Sequence, residues 1–131
     1  MKVNWMLVGA LLGALAVAMG AFGAHGLKSQ NPGPKALDWW HTAAQYQLLH
    51  APVLMVFGLF VDLHPRGAQA GQAPGICLLL GTLIFSGTLY AMALGAPTIL
   101  GAVTPIGGVL LVLGWGLFAW KARFVATDSN R

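Results

Sequence analysis

The placement of charge constrains this chain more than any motif does. Between Lys2 and Lys28 there is no Asp, Glu, Lys or Arg, and the same holds between Asp38 and Asp62. A third run, from Gly67 to Trp120, is free of charge for 54 residues. A segment that crosses the hydrocarbon core of a bilayer needs about 20 consecutive apolar residues. The first two runs therefore hold one spanning helix each, and the third holds two joined by a tight turn at Ala96-Pro97-Thr98. The expected fold is all-α: a four-transmembrane-helix bundle forming a single integral membrane domain over residues 1–131. The helices are placed at about 4–24, 38–62, 75–94 and 100–120.

Composition agrees with that reading. Hydrophobic residues make up 57% of the 131 residues and charged ones only 8%, against about 25% charged in soluble domains. The net charge of +4 is not a nucleic-acid signal, because the basic residues flank the apolar runs and form no patch. Cys77 is the only cysteine, so no internal disulfide can form. Lys2 alone precedes a long apolar run, which reads as a first span rather than a cleaved leader. With four spans, Lys2, Arg66, Lys121, Arg123 and Arg131 share one side, and Lys28 and Lys35 the other. The positive-inside rule then puts both termini in the cytoplasm.

Helix 2 carries most of the chemistry. Trp39, Ala43, Tyr46, His50, Val53 and Phe57 recur at helical spacing, so an interfacial aromatic, a phenol and an imidazole follow one another inward on one face. Pro52 lacks an N–H and leaves the carbonyl of Leu48 without its helical partner. Asp38 is the expected N-cap. Pro105 plays a similar part in helix 4, so helices 2 and 4 are expected to be kinked. Small residues recur at Gly9, Gly13 and Gly20 in helix 1, at Gly87 in helix 3, and at Gly107 and Gly108 in helix 4. Such spacing lets backbones approach closely in lipid. These glycines are the expected helix-packing positions.

The polar residues of the spans gather toward the non-cytoplasmic half: His25, Gln45, Tyr46, His50, Ser86, Tyr90 and Thr104. One reading is a small intramembrane site for a proton, metal or ligand. The other is hydrogen-bond bracing between helices. No catalytic residue is assigned. The three acids lie outside or at the edges of the apolar runs, and there is no zinc-protease motif, phosphate loop or nucleophile elbow. No metal set is present, and His25 and His50 lie at unequal depths, a poor arrangement for haem. The sequence assigns no cofactor.

Four stretches, taken together, have a family look. Phe22-Gly23-Ala24-His25-Gly26-Leu27 closes helix 1, and Trp40, Thr42-Ala43, Tyr46-Gln47 and His50-Ala51 run along helix 2. Phe85-Ser86-Gly87-Thr88-Leu89-Tyr90 lies in helix 3, and Leu100-Gly101 with Thr104-Pro105-Ile106-Gly107-Gly108 opens helix 4. Over nearly its whole length the chain resembles the small bacterial inner-membrane proteins called domain of unknown function 423, to which animal transmembrane protein 256 is related. Pro52 departs from the family's usual small or aliphatic residue. The resemblance implies a four-helix membrane architecture and brings no activity. The residues themselves favour a non-enzymatic accessory or scaffolding subunit, in a homo-oligomer or a larger membrane complex. The alternatives are a small transporter or channel past helices 2 and 4, or a binder of a lipid, quinone or metal.

Overall fold

The computed structural model describes residues 2–65 and 71–128. Arg66 and Arg131, two of the basic residues used for topology, lie outside them. Four helices are long and apolar enough to cross a membrane. These are α1 (Trp5–Phe22), continued by a π-helical turn Gly23–Leu27, α2 (Pro34–Leu63), α3 (Ala73–Ala93) and α4 (Thr104–Asp128). No strand occurs among the described residues.

The helix ends follow local chemistry. Asn4 caps α1 by accepting a hydrogen bond from the Leu7 amide at 3.0 Å. α2 begins at Pro34, four residues before the expected Asp38 cap, because a proline's fixed φ suits the first helical turn, where its missing N–H costs nothing. Asn31 takes φ +54° in the preceding loop, a left-handed conformation that asparagine tolerates. At about 1.5 Å per residue α2 is roughly 45 Å long, more than the hydrocarbon core is thick, so its first turns stand outside it. Pro52 lies inside α2. Pro105 sits instead in the first turn of α4, and the irregularity near it is a 3₁₀ turn over Thr98–Ala102. Lys121 and Arg123 lie within α4, which runs past the expected end at Trp120.

Neighbours in sequence are neighbours in space. α1 packs on α2, α2 on α3, and α3 on α4. The two central helices are therefore more enclosed, with 39% and 44% of their spanning windows buried against 22% for α1 and 17% for α4. Glycine sets the closest approaches. A Cβ at Gly9 would lie 2.6 Å from the Ala51 carbonyl oxygen, and one at Gly58 would lie 2.8 Å from the Met6 amide, so α1 and α2 nearly touch. Across the other pair, a Cβ at Gly81 would lie 2.9 Å from the Gly107 carbonyl, and one at Gly107 an equal 2.9 Å from the Gly81 carbonyl. Gly114 is pressed against Leu78.

The packing glycines expected from sequence divide accordingly. Gly9 and Gly107 lie at helix crossings. Gly13 makes an ordinary contact with Ala51, and Gly108 meets only the edge of Phe85 at 3.9 Å. Gly20 and Gly87 face open space, because the contact faces of α1 and α3 point elsewhere. Spacing alone finds small residues but not the side of the helix that a neighbour occupies.

Candidate functional site

The interior of α2 is Trp40, Ala43, Gln47, His50, Ala51, Leu54, Phe57, Gly58 and Val61. It keeps Ala43, His50 and Phe57 of the face read in the sequence. Trp40 and Gln47 point inward where Trp39 and Tyr46 were expected. Gln47 is 3% exposed and ties three helices together. Its Nε2 donates to the Leu12 carbonyl of α1 at 3.0 Å, and its Oε1 accepts from the Tyr90 hydroxyl of α3 at 2.8 Å. Gln45, the glutamine assigned from sequence, is exposed. Two residues further along a helix is about 200° of rotation, so only one of the two can face inward.

Around this core the other polar groups act in pairs. Ser86 donates to the Ala43 carbonyl at 2.8 Å, joining α3 to α2. Thr88 and Thr104 share a hydrogen bond of 2.7 Å, joining α3 to α4. Trp40 donates from its indole to the Met19 carbonyl at 2.7 Å and lies 4.5 Å, centroid to centroid, from the Tyr90 ring. Gly23 makes this possible, because a Cβ there would collide with the Trp40 indole.

His50 is 6% exposed, and both its ring nitrogens are engaged. Nδ1 lies 2.7 Å from the Tyr46 carbonyl, and Nε2 accepts from the Trp115 indole N–H at 3.2 Å. A carbonyl only accepts and an indole N–H only donates, which fixes the Nδ1–H tautomer. The imidazole thus links α2 to α4. Below it, Phe118 of α4 meets Phe57 at 5.3 Å and Phe60 at 5.4 Å, centroid to centroid.

Of the residues assigned from sequence, Ser86, Tyr90 and His50 are buried between helices and Thr104 is half-buried. His25 lies in the π-helical turn after α1 and is exposed. It is not brought to His50. Tyr46 is 38% exposed and lies at the rim, its ring 4.3 Å from that of Phe85. Leu12, Gln47 and Trp115 lie well within their helices, so the linked groups reach mid-depth and are not confined to one half. Gln47 and Trp115 were missed. A sequence signal existed for the first: Trp40, Gln47, Leu54 and Val61 repeat every seven residues beside Ala43, His50 and Phe57, as interior positions of packed helices do.

No group of three His, Cys, Asp or Glu side chains that could hold a metal occurs among the described residues. The linked groups can brace the helices and orient one imidazole.

A family model described as "Protein of unknown function (DUF423)" matches residues 19–108, which contain every interhelical polar side chain described above except Trp115. The chain belongs to that family. It is 41% identical to a UPF0382 membrane protein of Bacillus subtilis over 115 residues, 88% of this chain and 91% of the relative. A UPF0382 membrane protein of Haemophilus influenzae is 38% identical over 88% of this chain and 90% of its own length. One from the fission yeast Schizosaccharomyces pombe is 38% identical over 82% and 92%. No solved structure matches. The family's members named here are membrane proteins, and the four apolar helices of this chain place it in a bilayer.

Proposed function

We propose that this member of the family is a non-enzymatic accessory or scaffolding subunit, a single membrane domain that packs laterally in a homo-oligomer or a larger membrane complex. Its setting is the bacterial inner membrane, with both termini cytoplasmic. The observation that carries this reading is on α1. Ala10, Ala14 and Ala18 form a stripe at four-residue spacing that is exposed, on the side away from the buried Trp5, Gly9, Leu12 and Ala16. Small residues at that spacing allow another helix to approach closely in lipid, where packing drives association. Of the glycines expected to pack helices, Gly9 and Gly107 are used at crossings inside the chain, whereas the alanine stripe faces outward. The interior also supports a structural part. Among the described residues, no buried side-chain nitrogen or oxygen lacks a hydrogen-bond partner, so the polar groups are engaged in bracing.

Cross-linking tests the reading. With Cys77 replaced by Ser, a cysteine is placed at Val17, 63% exposed on the outer side of α1, and another at Leu59, 49% exposed on α2. Oxidation in native membranes should give a defined cross-linked species from Val17→Cys and little from Leu59→Cys. Equal or absent cross-linking at both positions would count against lateral packing through α1.

A further inference from the structure

α1 and α3 both pack on α2 and scarcely on each other, so a cleft is left between them over α2. At mid-depth it holds a cavity of about 130 Å³, walled by Leu15 and Leu83 and lined also by Gln47, Thr82, Ser86 and Tyr90. We propose that this cavity binds water, one molecule accepting a hydrogen bond from the Gln47 side-chain amide and donating to the hydroxyls of α3.

Three observations carry the assignment. The first is a donor without an acceptor. The Leu12 carbonyl only accepts, so the Gln47 amide nitrogen must face it, and the amide oxygen then accepts from Tyr90. That nitrogen carries two hydrogens, and no acceptor among the described residues meets the second. Gln47 is 3% exposed, and a polar hydrogen without a partner is costly at this depth. The second observation is a row of acceptors. Thr82 gives its hydroxyl hydrogen to the Leu78 carbonyl, Ser86 to the Ala43 carbonyl and Tyr90 to Gln47, each at 2.8 Å. Each of these oxygens keeps a lone pair with which to accept. The three residues recur every four positions, about 6 Å apart along the axis. That is close to the reach of one water bonded to two oxygens at about 2.8 Å each. The third observation is size. At roughly 30 Å³ per molecule the cavity has room for about four waters, whereas cofactor-sized ligands occupy about 300–1,000 Å³.

Other occupants fit less well. The mouth opens toward the bilayer, since Leu15 is 53% and Leu83 51% exposed, but an acyl chain entering there brings no acceptor for the amide. A quinone brings acceptors and is too large. Water supplies both an acceptor and two donors, and it completes the bracing around Gln47.

Nuclear magnetic resonance tests the site. The isotope-labelled chain is placed in nanodiscs of dimyristoylphosphatidylcholine, and magnetisation transfer to the Gln47 side-chain amide protons is measured from water and from lipid methylenes. The wild-type amide should show transfer from water and none from methylenes. Gly87 lines the cavity, and a Cβ there would meet nothing within 4 Å. Gly87→Leu should therefore fill the cavity and abolish the water signal. Gly116→Leu, also in open space but on α4, should leave that signal unchanged. Tyr90→Phe removes the hydroxyl proton bonded to the amide oxygen, which is able to relay exchange with bulk water, and the signal should persist in it. Transfer from methylenes or from a differently labelled second copy, in place of water, would overturn the proposal. So would a water signal that survives in Gly87→Leu or vanishes in Tyr90→Phe. Should Gly87→Leu fail to fold, the wild type and Tyr90→Phe decide between the outcomes.

Discussion

At the level of single residues, the two glutamines of α2 differ most in consequence. Gln47→Leu removes hydrogen bonds to α1 and α3 and leaves the Tyr90 hydroxyl without a partner. Interhelical hydrogen bonds in membranes are worth about 0.6–2 kcal/mol each, so the variant, which loses two, should unfold about 1–4 kcal/mol more easily in a detergent titration. Gln45→Leu, on the exposed side, should change stability by less than about 0.5 kcal/mol. The His50–Trp115 pair allows a second check. A double-mutant cycle of His50→Phe and Trp115→Phe should show a coupling of about 0.5–1.5 kcal/mol, and no coupling would mean that the imidazole does not hold α4. The sequence shows that helix 2 carries polar residues in hydrocarbon. It does not show which of them point inward, since that depends on where α1 and α3 lie. Helical spacing from Ala43 and His50 puts Tyr46 on one face with them, and depth alone groups Gln45 with the site; Gln47 is interior because it continues the seven-residue repeat of Trp40, Leu54 and Val61.

At the level of helices, the number and approximate span of the elements were legible because the charge-free runs leave room for little else. The crossings were not. Gly58, Gly75, Gly81 and Gly114 all meet neighbouring chain atoms closely, and none of them is among the six glycines expected from sequence, of which Gly9 and Gly107 lie at crossings while Gly20 and Gly87 meet nothing. Every helix of this chain is rich in small residues, so spacing identifies many candidate faces and tertiary contact selects among them. Gly107→Ala should therefore cost about 1–3 kcal/mol, because its Cβ would meet the backbone of α3. Gly20→Ala and Gly87→Ala should be neutral or stabilising by up to about 1 kcal/mol, as expected where a helical glycine has room. Thermal melts of the three variants in one detergent separate the two classes.

The whole molecule is two close-packed hairpins, α1–α2 and α3–α4, joined along α2 and α3, and among the described residues every buried polar side-chain atom has a hydrogen-bond partner. The Lys2–Asp62 ion pair of 2.8 Å ties the start of α1 to the end of α2, on the side assigned to the cytoplasm. Both its partners are more than half exposed, so it orients the ends and contributes little to stability. If the interior is bracing, a liposome assay of proton or small-ion flux should give the same background rate for the wild type and His50→Ala. The outer faces of α1 and α4 are then the surfaces left to act. Native mass spectrometry of the protein extracted from its own membranes in mild detergent tests this most directly. The account predicts that the chain leaves with other polypeptides, or with copies of itself, at a fixed stoichiometry that Ala14→Leu disrupts. A lone 13.7 kDa chain, unchanged by Ala14→Leu, would contradict it.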